Sequence, residues 1–346
     1  MVQLTAQSMP ASMSAAVLAN LPATALELHS RPVPVPEHDD DVVLRVEACG
    51  ICGTDLHILR GESYRPDLPF TLGHEPVGVV VAAGATAESW MGKRATITLF
   101  TGDGTCPVCL AGDERLCPHL QSITGVLVVD GAYAEFVRVH ARQLVEVPDS
   151  LSGPEVASLV DSGATAANSI RVALEARAAQ VLVVGAGPIG FLAAEMLQAD
   201  AVAHQVVEPN ELRRAKLAAL GHTVIASFDQ VAGQSDVVVD CTGVSDVMAP
   251  GVAALTPHGL YVLAGYARVP DFDFGVVSRK EATIRGVRSG RREDLERLIS
   301  LVASRKVRLP EISTWPLSEV NVALEALRTG AVPGKAVIIP DPLWEA

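Results

Sequence analysis

Residues 179–190 read AQVLVVGAGPIG, and this stretch decides the fold. A short apolar run suited to a buried strand ends in glycine, and a helical pattern begins at Pro188 and Ile189. The glycines Gly185, Gly187 and Gly190 form a G-x-G-x-x-G element. The first permits a tight turn, the second lets backbone approach a pyrophosphate, and the third lets the helix pack closely on the strand. The helix start then offers free N–H groups and a positive dipole end to phosphates. Glu208 closes the following strand at about the 20-residue distance where a carboxylate accepts from ribose hydroxyls. A glycine turn followed by a surface acid is the bland alternative, and the order strand, helix, strand, acid argues against it. Glu208 favours NAD over NADP, because a 2′-phosphate there would face like charge. Arg213 and Arg214 pull the other way, since a nearby guanidinium could accommodate that phosphate.

Working outward, strand and helix alternate on both sides of this element. A small-residue helix is expected over 164–178, helices over 189–198, 210–220 and 245–255, and strands over 204–208, 236–240, 260–264 and 283–285. Asn210 reads as an N-cap and Gly221 as a helix stop. Residues 163–286 therefore form an α/β, doubly wound parallel sheet. Residues 14–162 are different: β-branched stretches at 41–47, 76–82, 93–99 and 135–147 are punctuated by Pro and Gly, as in a compact barrel-like domain. Residues 1–13 read as a tail, and 287–346 as a return to the first domain through two amphipathic helices (293–304 and 318–328) and a strand (335–339).

A chain of 346 residues exceeds what one core usually organises, which agrees with two domains. The composition, 49% hydrophobic and 19% charged, is that of a globular protein. A net charge of −13 without a basic cluster excludes nucleic acid as a main partner. Neither a membrane-length apolar run nor a secretory signal is visible, so no membrane partner and a cytoplasmic location are expected. In that reducing setting, six cysteines suggest metal ligation more than disulfides.

Two strings carry chemistry: GICGTDLH at 50–57 and GHEP at 73–76. The Cys52 thiolate and the His74 imidazole can both ligate Zn2+, and a catalytic zinc takes three protein ligands and keeps a fourth position open. Singly, Cys52 reads equally as a small buried hydrophobe and His74 as a satisfied core histidine. Together, CGICGTDLH (49–57), GHEP and GAGPIG (185–190) resemble the zinc-dependent medium-chain dehydrogenase/reductase family, over nearly the whole chain from residue 14 to 340. The resemblance implies a GroES-like β-barrel catalytic domain plus a Rossmann cofactor domain. It also implies Cys52 and His74 as ligands, with Asp161 at the third position, which varies among members as Cys, Glu or Asp. Glu75 would be a carboxylate beside the metal, Asp55 would hold the His74 ring, and Thr54 and His57 would relay the departing proton. His57 has a second reading as an exposed loop histidine.

The implied activity is hydride transfer between a secondary alcohol or polyol and NAD(H), with zinc polarising the substrate oxygen. Asp161 resembles the secondary-alcohol branch, whereas Glu208-Pro209 and the residues after it resemble the threonine and polyol branch. The rivals are a zinc-free quinone or enone reductase, which lacks these ligands, and a non-catalytic cofactor-binding protein. Relatives of this kind are homodimers or homotetramers, and 259–274 is the expected contact.

A second lobe, Cys106, Cys109 and Cys117, resembles the family's four-cysteine structural zinc site with Asp103 in the first position. A carboxylate there is a harder donor and should weaken the site. His119 could serve instead, and a metal-free lobe or a Cys106–Cys109 disulfide are the alternatives. Cys49 and Cys241 are read as packing.

Overall fold

In a computed structural model, which describes residues 9–265, 269 and 272–341, the chain divides into two units. Described residues up to Asp161, with those from Glu311 on, form the first, and Ser162–Pro310 forms the second.

The first unit is built on the strand Asp41–Ile51, buried at most positions because its Val, Leu and Ile side chains serve core on both faces. It pairs antiparallel with Glu75–Ala83, Phe136–His140 and Lys335–Ile339. Arg94–Ile97 and Leu144–Glu146 extend this sheet on one side, and Ile312–Pro316 runs parallel to Lys335–Ile339 on the other. A second, three-stranded sheet joins Glu27–Pro32, Ser12–Leu18 and Phe70–Thr71. Its middle strand begins at Ser12, inside the expected tail; residues 1–8 of that tail lie outside the described residues. The core between includes Leu44, Ile51, Ile58, Leu72, Ile97 and the fully buried Tyr133.

In the second unit six strands lie parallel in the spatial order Val224–Ile225, Ala203–Val207, Gln180–Val184, Ser235–Asp240, Leu255–Leu263, Thr283–Gly286. Numbered by sequence this is 3-2-1-4-5-6, the doubly wound order whose reversal lies between the first and fourth strands. Gly185 follows the first strand at that reversal. Gly185 has φ +88°, and a Cβ on Gly190 would sit 1.8 Å from the Gly185 carbonyl oxygen. Both positions therefore require glycine.

Local signals held where caps were legible: the Asn210 side chain accepts from the Arg213 N–H at the start of the helix Glu211–Ala219. The helix expected over 245–255 is shorter, Met248–Ala253, and Leu255 already opens a strand. Residues 287–310, expected with the return to the first unit, belong to the second. The helix Arg292–Ala303 is fastened to the helix Ser162–Glu175 by Arg171 Nε donating to Asp294 Oδ1 at 2.9 Å, and Asn168 Nδ2 donates to the Ser289 carbonyl at 2.7 Å. Only residues from Glu311 return to the first unit. Of the expected oligomer contact at 259–274, residues 266–268, 270 and 271 lie outside the described residues.

Candidate metal and dinucleotide sites

Cys52 stands where the strand Asp41–Ile51 gives way to the helix Gly53–Leu59, as the N-cap residue. Its N–H donates to Asp55 Oδ2 at 2.9 Å, so the first turn of the helix holds a carboxylate directly behind the thiol. Asp55 is fully buried, and the Tyr133 hydroxyl also donates to its Oδ2 at 2.8 Å. Its Oδ1 lies 3.4 Å from His74 Nδ1. His74 precedes the strand Glu75–Ala83, so sheet pairing sets the ring position. Asp161 arrives from a loop far along the chain, with Oδ2 3.5 Å from Cys52 Sγ and 3.6 Å from His74 Nε2. The ligand atoms of Cys52, His74 and Asp161 lie within 4.8 Å of one another.

These distances suit a metal. Zinc–ligand bonds of about 2.0–2.3 Å in tetrahedral geometry put the donor atoms roughly 3.3–3.6 Å apart. The buried His74 Nε2 has no hydrogen-bond partner, although such atoms are rarely left unsatisfied. Electrostatics agree. Burial disfavours a charged His74 ring, yet Asp55 and Asp161 on its two sides raise its pKa well above the ordinary value. Burial likewise works against the Asp161 carboxylate, but His74 and then Lys335 hold its pKa below the usual range. The pocket thus concentrates negative charge that a divalent cation would neutralise.

Glu75 is buried beside this cluster, with Oε1 accepting from the Asp161 N–H at 3.2 Å. Lys335, at the head of the strand Lys335–Ile339, places Nζ 2.8 Å from Glu75 Oε1 and 2.5 Å from Oε2. Lys335 and Tyr133 are not among the residues expected from sequence. A lysine opening the apolar run KAVII was the available signal, since a charge on a buried strand must find a partner. Thr54 Oγ1 lies 3.7 Å from Cys52 Sγ. His57 is half-exposed, and its Nδ1 contacts Glu62 Oε2 at 2.8 Å.

The second cluster also assembles: Asp103, Cys106, Cys109 and Cys117 bring their ligand atoms within 4.8 Å of one another. Backbone N–H groups of Asp103 and His119 donate to Cys117 Sγ, and that of Cys109 donates to Cys106 Sγ. Burial raises the Cys117 pKa, but those two N–H groups lower it further, so the net direction is toward thiolate. His119 stands outside the four; its Nδ1 contacts Asp103 Oδ2 at 2.7 Å. Cys106 and Cys109 are free thiols rather than a disulfide.

At the glycine turn, Gly187 is the one motif glycine whose added Cβ would meet only open space, the room a pyrophosphate needs. Glu208 is buried rather than a free surface acid. Its Oε2 accepts from the Ala186 N–H at 2.7 Å and its Oε1 from the Asn210 N–H at 2.8 Å. Arg213 Nη1 lies 3.9 Å from Glu208 Oε2, while Arg214 donates to the carbonyls of Glu208 and Pro209. Pro188 and Ile189 open the helix Pro188–Ala199 that points its N-terminus at the turn. Burial pushes up the pKa values of the Cys49 thiol, which is fully buried, and of the Cys241 thiol, which is partly so.

Residues 38–149 match the alcohol dehydrogenase GroES-like domain, and residues 154–284 match the glucose dehydrogenase C-terminus. An alcohol dehydrogenase of Geobacillus stearothermophilus is 30% identical over 332 residues, covering 91% of this chain and 95% of that protein. An L-threonine 3-dehydrogenase of Bacillus subtilis is 29% identical, covering 89% and 94%. The crystal structure of an alcohol dehydrogenase from Aeropyrum pernix superposes with a TM-score of 0.84 at 29% identity, covering 94% and 100%. The chain belongs to the zinc-type medium-chain dehydrogenase family. It is an oxidoreductase of the alcohol and polyol dehydrogenase type, with a GroES-like unit and a Rossmann unit. No helix among the described residues is long and apolar enough to cross a membrane.

Proposed function

We propose that this enzyme holds a catalytic zinc on Cys52, His74 and Asp161 and uses NAD to interconvert a secondary alcohol or polyol with its ketone or aldehyde. The observation that carries the reading is the convergence of a thiol, an imidazole with an unsatisfied buried nitrogen and a carboxylate at tetrahedral spacing. When bound, the zinc supplies Lewis acidity toward the substrate oxygen and NAD supplies the hydride acceptor.

The protein residues then have distinct tasks. Asp55, anchored by the Cys52 N–H and the Tyr133 hydroxyl, orients the His74 ring from its Nδ1 side. Lys335 holds the Glu75 carboxylate beside the ligands. Thr54 offers a hydroxyl next to the thiol to receive the alcohol proton, and His57 with Glu62 passes it to solvent. At the glycine turn the helix N-terminus binds the pyrophosphate, and Glu208 selects NAD over NADP by repelling a 2′-phosphate.

A structural zinc on Asp103, Cys106, Cys109 and Cys117 would staple the 103–117 loop. The donor set weighs against a zinc-free enone reductase, and that set together with Thr54 and His57 weighs against a protein without turnover. A cytoplasmic homodimer or homotetramer completes the reading.

The test is zinc quantification on purified protein combined with NADH absorbance over alcohols, polyols and hydroxy amino acids. The expected result is at least one zinc per chain and NAD+ reduction by a secondary alcohol or polyol. Full activity and full metal content in Cys52→Ser would refute the proposed centre.

A further inference from the structure

Away from both sites, in the second unit, two histidines touch through their rings. His204 lies in the strand Ala203–Val207, and its Nε2 is 2.9 Å from Nδ1 of His222, in the turn after the helix Glu211–Ala219. The outer nitrogens are also engaged. His204 Nδ1 is 2.9 Å from the Val202 carbonyl oxygen, and His222 Nε2 is 2.7 Å from Glu195 Oε1. Glu195, on the helix Pro188–Ala199, is 2% exposed. Arg308 embraces it: the backbone N–H and Nε donate to Oε2 at 2.8 and 2.9 Å, and Nη2 donates to Oε1 at 2.8 Å.

The row is carbonyl, ring, ring, carboxylate, with three contacts. A carbonyl oxygen only accepts. Burial pushes the Glu195 carboxyl up, but His222 and then Arg308 bring it down to about 2, so it too only accepts. Three hydrogen bonds between two terminal acceptors need three protons on the rings, and two neutral imidazoles carry two. A neutral pair would leave lone pairs facing each other at one contact, inside a region where an unmade hydrogen bond is costly.

We infer that His204 and His222 share one extra proton in the folded protein, with His222 carrying both ring protons as a buried imidazolium against Glu195. The pair acts as a proton-dependent clamp on the helix Pro188–Ala199 and on the segment carrying Arg308. His204 is then the neutral member, donating from Nδ1 and accepting at Nε2. Its pKa lies below the ordinary value, held there by burial and then by the charge on His222. The charged groups facing the pair among the described residues are Glu195 and Arg308; Val181, opposite His204 in the sheet, and Thr223, beside Val206, are neutral. The clamp is complete only while the extra proton is held, because without it one of the three contacts lacks a hydrogen.

Ring nitrogen NMR on the full chain labelled with 15N-histidine reads the inference directly. Near neutral pH, both nitrogens of His222 and Nδ1 of His204 are expected in the protonated range, with His204 Nε2 unprotonated. Four nitrogens in the pattern of two neutral rings would overturn it. Glu195→Gln supplies an amide donor to His222 Nε2, so its His222 ring is expected to become neutral with the far-UV circular dichroism unchanged. A His222 ring that stays doubly protonated in that folded variant would also overturn it. Hydrogen exchange of the unmodified protein avoids any folding defect of the variant. The Arg308 amide should lose about tenfold or more of its protection once the pair deprotonates, the loss of a charge-assisted bond. A protection factor constant across that titration would refute the clamp.

Discussion

Replacing Lys335 by methionine probes how the metal pocket tolerates its own negative charge. Lys335 is 2% exposed and Glu75 fully buried, with Nζ at 2.8 and 2.5 Å from the two carboxylate oxygens. Methionine keeps most of the side-chain volume but removes the ammonium that faces the buried Glu75 carboxylate. Glu75 retains the Asp161 N–H at 3.2 Å, which cannot replace an ammonium. Removing one partner of a buried ion pair costs about 3–5 kcal/mol, most of it the penalty of the charge left behind. Burial lowers the Lys335 pKa, but Glu75 first and Cys52 next raise it above the ordinary lysine value. This stabilisation is therefore present at all pH values below the unfolded lysine pKa and fades only as pH rises through the folded one. Urea denaturation of metal-free protein measures the loss, and the double variant Lys335→Met/Glu75→Gln should recover most of it. A loss under about 1 kcal/mol, the size of a surface pair, or the absence of coupling between the two substitutions would refute the reasoning.

Other consequences can be checked separately. Asp103→Ala should lower the zinc content of purified protein by about one ion per chain while leaving the Cys52 centre loaded, because a three-thiol set lacks the fourth ligand of a closed structural site; elemental analysis reads it. Gly190→Ala puts a Cβ 1.8 Å from the Gly185 carbonyl oxygen, so it should destabilise the second unit by at least about 1–3 kcal/mol and weaken NADH binding; thermal melts and NADH fluorescence report both effects. Glu195 has a depressed carboxyl pKa, so its stabilisation is present above the unfolded value of 4.5 and lost as pH falls toward about 2. Acid unfolding of Glu195→Gln should lack that component of the pH dependence.

Much of the second unit was legible because its signals are local. An apolar strand, three glycines and a capped helix each state their own conformation within a dozen residues, whereas the short strand Val224–Ile225 and the 3-2-1-4-5-6 order appear only in the structure. The tail end was misplaced for the complementary reason. The helix Arg292–Ala303 advertises an apolar face through residues such as Leu295, Leu298 and Ile299, but periodicity says only that this face is buried, not by what. The partner was the helix Ser162–Glu175, reached through Arg171 and Asp294, 123 residues apart.

The candidate metal centre divides the same way. Cys52, Asp55, His74 and Glu75 sit in two short strings, so the sequence, through its family resemblance, named the candidate site and most of its candidate donors. Tertiary structure alone decided that Asp161 comes within 3.5 Å of Cys52 across 109 residues, and that Lys335 meets Glu75 across 260. It also decided that Glu208 is a buried acceptor for the Ala186 N–H instead of an open acid. The physical reason is range: backbone propensity and ligand chemistry are properties of neighbouring residues, whereas burial and charge pairing exist only once distant strands have been packed side by side.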